Sequence, residues 1–174
     1  MTEIVTLATP EQMESHINEL ADILIDCVEG GALVSFMHPL AKKKALEYWD
    51  GILGSVRKGE ALPFLAIGGS QAKGAVFLRP SKLANQPHVA EVIKLLVPRK
   101  FRRQGIARQL MQALEVEAAK RGRYLLTLDT IKGSAAEKLY LELGYKLVGT
   151  IPNFALLPDG KTCESVILYK QLYS

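Results

Sequence analysis

The most chemically specific segment of the sequence is a short basic loop before a predicted helix. It reads Arg102-Arg103-Gln104-Gly105-Ile106-Ala107, and Arg108 follows it. No Ser, Thr, Asp or Asn caps the start of this helix, and no acid stands in its first turn. Cations beside the positive end of a helix dipole are unfavourable, whereas free backbone N–H groups together with arginines bind phosphate oxygens. The pattern therefore predicts a polyphosphate site, with Gly105 and Ala107 small enough for close backbone approach.

Two other interpretations of this basic loop stay open at this point. A solvent-facing loop before a structural helix would have the same composition. A generic phosphate site would also fit, although the common nucleotide fingerprints are missing. Gly69 and Gly74 have the spacing of a phosphate-binding P-loop, but Ala75-Val76 follows them where Lys and Ser or Thr are needed. The dinucleotide pattern G-x-G-x-x-G does not occur.

Two carboxylates belong to predicted strands on either side of this helix. In the strand Val89–Val97, strict alternation would place on one face Val89, Glu91, Ile93, Leu95 and Val97. Glu91 would then lie among aliphatic side chains, and burial would raise its pKa towards that of a general base. Asp129 lies at the carboxyl end of the next strand and should face the same cleft, as a base or as a partner for a ligand's ammonium group. Alternatively, Glu91 is solvated or ion-paired and Asp129 caps the following loop.

The elements that must position these residues follow a mixed α/β order. A strand at Val89–Val97, a helix at Gly105–Arg121 and a strand at Tyr124–Thr130 predict a right-handed crossover between parallel strands. The remaining segments predict three further helices and five further strands or short strands. The helices are Glu11–Glu29, Ala41–Arg57 and Ala135–Leu143; the strands are Ile4–Thr9, Phe64–Ile67, Ala75–Leu78, Tyr145–Ile151 and Glu164–Tyr169. This order is typical of an α/β (α+β) layer architecture around one sheet.

Composition and charge exclude several functional classes. The 174 residues fit one domain, 1–174, of ordinary globular composition, with 48% hydrophobic and 23% charged residues. The net charge is +4, but the basic residues concentrate in one short stretch, which argues against a nucleic-acid partner. No apolar run is long enough to cross a membrane. Because Met1-Thr2-Glu3-Ile4 lacks the pattern of a secretory signal, we expect a cytoplasmic protein with reduced Cys27 and Cys163.

Metal and serine-hydrolase chemistry are not expected from the sequence. The three histidines, His16, His38 and His88, are scattered and pair with neither cysteine at the spacing of metal ligands. The sequence contains neither H-E-x-x-H nor the G-x-S-x-G elbow of hydrolases. We therefore expect no bound metal.

The combination of motifs resembles the GNAT acetyltransferase superfamily. The loop from Arg102 to Ala107 is similar to that family's Arg/Gln-x-x-Gly-x-Gly/Ala acetyl-CoA motif, and it follows a hydrophobic strand that ends in Val97-Pro98. A second similar segment is Ala136…Tyr140…Gly144-Tyr145. The resemblance implies a mostly antiparallel sheet with a central parallel β-α-β unit and helices on both faces. It also implies acetyl-CoA as co-substrate.

The same resemblance implies a set of site residues. Cofactor contacts are expected from the loop residues Arg102, Arg103, Gln104, Gly105, Ile106, Ala107 and Arg108, and from Leu95, Leu96, Val97, Ser134 and Ala136. Backbone N–H groups near Leu96 and Val97 would polarise the thioester carbonyl, and Ser134 would replace the Asn that many members use to bind the pantetheine arm. Tyr140 would protonate the departing thiolate, although a core tyrosine would suit its helix equally well.

The implied activity is acetyl-CoA-dependent acetylation of a small-molecule amine. Segments such as Gly30–Met37 and Leu128-Asp129-Thr130 resemble the branch of the family that confers tabtoxin resistance by acetylating a β-lactam toxin. Phe36, Met37 and Trp49 are predicted to form the acceptor pocket. The alternatives are a protein or peptide N-acetyltransferase and a non-catalytic CoA-binding regulator. The sequence leaves open whether the protein is a monomer or a homodimer.

Overall fold

Seven strands form one twisted sheet in the computed structural model, which describes residues 4–172. The segment Met1–Glu3, on which the expectation of a cytoplasmic location partly rests, lies outside the described residues. The strand order is β1-β2-β3-β4-β5-β7-β6, and β4 with β5 is the parallel pair among otherwise antiparallel neighbours. The strands are β1 (Ile4–Leu7), β2 (Leu62–Gly68), β3 (Gln71–Pro80), β4 (Val89–Leu96), β5 (Leu125–Ile131), β6 (Lys146–Leu156) and β7 (Thr162–Gln171). The predicted fold class, a mixed sheet with a central parallel β-α-β unit, is confirmed.

Among residues 4–172, five α-helices cover the two faces of the sheet. They are α1 (Pro10–Ser15), α2 (Ile17–Glu29), α3 (Lys42–Arg57), α4 (Ile106–Lys120) and α5 (Ala135–Glu142), and a 3₁₀ turn covers Arg99–Phe101. The prediction of one helix over Glu11–Glu29 is wrong, because the helix is interrupted at His16, between α1 and α2. There the Ser15 hydroxyl donates to the Gln12 carbonyl and the His16 N–H to the Met13 carbonyl, so the last turn of α1 tightens and ends.

The sheet separates two hydrophobic cores. Helices α2 and α3 cover one face, where Trp49 stacks on Phe77 at a ring-centroid distance of 5.2 Å. Helix α4 covers the other face with Ile106, Leu110 and Leu114, which are fully buried as their helical spacing predicts. Each such side chain contributes about 1.5–3 kcal/mol when it leaves water. The two cores hold β4 and α4 firmly on either side of the loop between them.

Two irregularities in β4 open the sheet. Strands β4 and β5 pair only from Val89 to Glu91 against Leu125 to Thr127, and beyond that point they separate. Ile93 and Leu96 face Phe77 and Ala75 of β3, so both Lys94 and Leu95 stand opposite Val76 in a β-bulge. The extra residue reverses the alternation. The predicted common face from Val89 to Val97 is therefore wrong, because Ile93 packs with the α2–α3 core and Leu95 with the α4 core.

No helix among residues 4–172 combines the length and apolarity needed to cross a bilayer.

Candidate active site

A cavity of about 1060 Å³ opens between the separated strands β4 and β5. One region of its wall, here called the loop end, consists of the upper part of β4, the start of α4 and the start of α5. A second region, the charged end, carries Arg79, Glu91, Lys94 and Asp129, beside Val34, Ser35 and Tyr48. The cavity therefore has one region built from backbone and arginines and another with charged side chains of both signs.

The start of α4 has the uncapped geometry that the sequence predicts. Gly105 is the residue before the first turn, with a left-handed φ of 82°, and no side chain caps the helix. Arg103 also has a positive φ, of 63°. Left-handed residues in a tight loop turn successive N–H groups towards one point, and the first-turn N–H groups of a helix have no partner within it. The loop end can therefore hold an anion with main-chain donors.

Salt bridges use part of the positive charge around this loop. Arg108 pairs with Glu142 of α5 at 2.6 Å, and the Arg102 Nε donates to the Val97 carbonyl at 3.1 Å. Within residues 4–172, Arg103 has no acidic partner. Gln104, predicted as a cofactor contact, lies off the cavity wall, and its amide donates to the Lys100 carbonyl at 3.4 Å. Among residues 4–172, no acid forms an ion pair with Arg102 or Arg103, and the Arg103 side chain also has no hydrogen bond, so its charge is available to a ligand.

Tyr140 and Asp129 meet the cavity from α5 and β5. Tyr140 is 6% exposed, and its ring lies 5.7 Å from that of Tyr145. Burial, and secondly the nearby charge of Asp129, raises the pKa of Tyr140 above its usual range, so this phenol holds its proton at neutral pH. Asp129 accepts a hydrogen bond of 3.1 Å from the hydroxyl of the fully buried Ser165. The site therefore contains a protonated hydroxyl and a positioned carboxylate.

Glu91 lies in a different environment from the one predicted. Arg79 stands directly opposite it on β3, and the two side chains form an ion pair with an N–O distance of 2.5 Å. The Glu91 side chain is 40% exposed, so the expectation of an acid buried among aliphatic groups is wrong. The sequence could not show Arg79 as the partner, because the pairing depends on the register of β3 and β4.

Comparison with known proteins identifies the family. Residues 17–145 match the Acetyltransferase (GNAT) family. The chain belongs to this family. An N-acetyltransferase from Staphylococcus aureus Mu50 superposes with a TM-score of 0.81 at 18% identity, covering 99% of this chain and 100% of that one.

Two further solved structures share the fold. A ribosomal-protein-alanine N-acetyltransferase from Brucella melitensis has a TM-score of 0.79 at 22% identity over 97% of this chain and 99% of its own. The yncA protein from Salmonella typhimurium, solved with its cofactor acetyl-CoA, has a TM-score of 0.78 at 14% identity over 100% of this chain and 96% of its own. The protein is an acetyltransferase that uses acetyl-CoA.

The loop end of this acetyltransferase fits the diphosphate of acetyl-CoA. Its donors are main-chain N–H groups and the unpaired Arg103, which suit phosphate oxygens. Leu95, Leu96, Val97, Ile106, Ala107 and Ala136 also line the cavity. Ser134 caps α5 by accepting the Glu137 N–H at 3.1 Å, and its hydroxyl lies 3.4 Å from that of Thr130. When bound, acetyl-CoA supplies the thioester that acyl transfer requires.

The residues predicted for the acceptor pocket do not line the cavity, whereas their neighbours in the chain do. Trp49 is fully buried in the α2–α3 core, so its assignment to the pocket is wrong. The adjacent Tyr48 lines the cavity instead, since one step along α3 turns the side chain by about 100°. Phe36 packs edge-on against Tyr48 at 5.1 Å, and neither it nor Met37 lines the cavity. Val34 and Ser35, from the same link, do.

Two cations at the charged end, Arg79 and Lys94, were not predicted from the sequence. A signal existed for Lys94, because it interrupts the apolar run Val92-Ile93-Lys94-Leu95-Leu96. Within residues 4–172, no group of three His, Cys, Asp or Glu side chains is placed to hold a metal ion.

Proposed function

We propose that this acetyltransferase transfers the acetyl group of acetyl-CoA to the primary amine of a small molecule by direct attack on the thioester. The observation that carries the proposal is that one cavity joins the uncapped start of α4 to Asp129 and Tyr140. A cofactor whose diphosphate is held at Gly105 could extend its thioester along the open edge of β4 towards both side chains. Positioning the two reactants in this way supplies much of the rate acceleration.

The proton transfers can be assigned to residues of the cavity. The acceptor ammonium gives its proton to a carboxylate, and the free amine attacks the thioester carbonyl. The C–S bond breaks, Tyr140 protonates the thiolate, and the second proton, which the nitrogen loses as the amide forms, restores the Tyr140 phenol. Strand β4 has no β5 partner beyond Glu91, so an N–H group on that open edge near Leu96 and Val97 would bind the developing oxyanion.

Asp129 is the better supported of the two candidate bases. Glu91 is engaged by Arg79 in a cross-strand ion pair, and a proton on Glu91 would weaken that pair. Asp129 has a single hydroxyl donor, Ser165, and no ion pair with any side chain of residues 4–172. Glu91 would then hold Arg79 in place at the edge of the acceptor site.

The size of the acceptor separates the proposal from its main alternative. The link that contains Val34 and Ser35 lines the charged end, and Phe154 and Ala155 of β6 line the cavity as well. Such a bounded pocket favours a small amine over a polypeptide that needs an open groove. The resemblance to the tabtoxin-resistance branch supports the same acceptor class. The Brucella neighbour, whose substrate is a ribosomal protein, keeps protein N-acetylation as the second candidate.

Thermal melts with acetyl-CoA test the cofactor site, and a screen tests the reaction. Acetyl-CoA at 100 times its dissociation constant should stabilise the protein by about 2.7 kcal/mol. Arg103→Ala should weaken this effect, whereas Arg121→Ala, a helix-end arginine paired with Glu117, should not. Amines, amino acids and antibiotics are then screened for release of free CoA thiol. Acetylation of peptides but of no small amine would favour the second candidate.

We also propose that residues 1–174 act as a single cytoplasmic domain, as a monomer or a homodimer. Size-exclusion chromatography with light scattering measures the oligomeric state.

A further inference from the structure

Lys94 occupies an unusual position on the wall of the cavity. It is the bulged residue of β4 and has a left-handed φ of 54°, which is uncommon for a residue with a side chain. Its ammonium group donates to the Val34 carbonyl at 2.9 Å and to the Ser35 hydroxyl at 3.1 Å. Ser35 also has a positive φ, of 73°. Strained residues persist where the surrounding structure holds them, and they concentrate at functional sites.

The Lys94 ammonium has no counterion within ion-pairing distance among residues 4–172. Its partners are two neutral oxygens and the face of the Tyr48 ring, 5.6 Å away. Burial lowers the pKa of Lys94, and the more distant charge of Asp129 partly opposes this. The other cation at this end, Arg79, is already paired with Glu91. A partly buried ammonium without an anion is costly, so a ligand that brings a negative charge is favoured there.

We infer that Lys94 binds an anionic group of the acceptor, so that the acceptor is an amine that also carries a carboxylate. The inference rests on the proposed function. Two charges of opposite sign are left unpaired at the charged end: Asp129 on β5 and Lys94 on β4. An amino acid matches both, with its ammonium at Asp129 and its carboxylate at Lys94. A simple amine would leave the Lys94 charge uncompensated.

The competing explanation is that Lys94 only tethers the link through Val34 and Ser35. The two explanations differ in what they predict for ligand charge. A tether would affect acceptors with and without a carboxylate alike. An anion site discriminates between them, because a charged hydrogen bond in a partly desolvated cavity is lost with the carboxylate.

The test uses amino acids paired with the amines that lack their carboxylate: lysine with cadaverine, tyrosine with tyramine, and phenylalanine with phenethylamine. Binding to the CoA-loaded protein is measured by calorimetry, and acetylation by thiol release. For at least one pair, we expect the member with the additional carboxylate to bind about tenfold tighter or more, a difference of about 1.4 kcal/mol. Lys94→Met should abolish this preference, and Lys94→Arg should keep part of it.

Two control variants separate anion binding from tethering. Ser35→Gly suits the positive φ and removes one hydrogen bond to the ammonium, yet it should keep the carboxylate preference. Lys44→Met removes an exposed lysine of α3 and should change nothing. The inference is overturned if neither member of any pair binds, if pairs bind equally, or if Lys94→Met weakens both members to the same degree.

The outcome also separates this inference from the proposed function. If acetyl-CoA binds and simple amines are acetylated as efficiently as amino acids, the inference about Lys94 fails and the acetyltransferase proposal stands. If acetyl-CoA gives no thermal shift at saturation, the cofactor site itself fails, whatever the acceptor results.

Discussion

Replacing Tyr140 by Phe removes one oxygen atom from the wall of the cavity and leaves the ring. The ring packs against Tyr145 in the α4-side core, so the substitution should leave the free energy of unfolding nearly unchanged. If the hydroxyl protonates the departing thiolate, its loss should lower kcat about 10²-fold or more, which corresponds to about 2.7 kcal/mol of transition-state stabilisation. The KM for acetyl-CoA should change much less, because the proposed diphosphate site is at the start of α4, away from the Tyr140 hydroxyl.

The pH dependence gives a second measure of the same role. Because burial and Asp129 raise the pKa of Tyr140 above the usual value of about 10, the phenol stays protonated through mildly alkaline pH. The wild-type kcat should therefore show no decline due to Tyr140 between about pH 8 and pH 10. The kcat of Tyr140→Phe and the pH profile of the wild-type kcat are both measured by thiol release with the best amine from the screen.

Tyr145→Phe is the matched control for this substitution. The same chemical change is made on the neighbouring ring, whose buried hydroxyl lies near Glu115, makes no regular hydrogen bond among residues 4–172 and does not line the cavity. Its kcat should equal that of the wild type, and its stability should be unchanged or slightly higher. Wild-type turnover in Tyr140→Phe, or an equal loss of kcat in the two variants, would show that Tyr140 serves only in packing.

Three other substitutions test the loop, the base and the first helix. Gly105→Ala and Gly122→Ala both place a side chain on a residue with left-handed backbone, so each should lower the free energy of unfolding by about 1–2 kcal/mol in a denaturant titration. Only the Gly105 variant should raise the dissociation constant of acetyl-CoA. Asp129→Asn should lower kcat about 10²-fold, more than Glu91→Gln does; the reverse order would identify Glu91 as the base. Thr9→Ala removes a capping box at the start of α1 and should lower the free energy of unfolding by about 1 kcal/mol, and a change below the error of the titration would show that the cap contributes nothing.

The sequence predicted the features that depend on local patterns. The apolar repeat of α4, the missing cap at Gly105 and the strand–helix–strand crossover are properties of short segments, and each is present in the structure. The fold class followed from the order of these segments. The split between α1 and α2 was missed, because a tightened helical turn at His16 hardly disturbs the spacing of apolar residues.

Features of the site that depend on neighbouring strands could not be predicted in this way. One bulged residue, Lys94, reverses every side chain after it, so strict alternation gives the wrong face for Leu95 and Val97. The environment of Glu91 depends on Arg79, twelve residues away and opposite it on β3. Whether Tyr48 or Trp49 faces the cavity depends on how α3 is rotated about its axis against the sheet. The sequence does not decide this rotation, because either aromatic side chain could pack in the core.

The short pairing of β4 with β5 also has a dynamic consequence. The two parts of the sheet, β1–β4 and β5–β7, are joined by only three residue pairs, and the main chain above them has no neighbouring strand on that side. Amide deuterium uptake in the empty protein should therefore be fast along one edge of the segment from Val92 to Leu96 and slow in the flanking strands. Filling the gap with a ligand that offers its own amide groups would slow that uptake and make the sheet continuous.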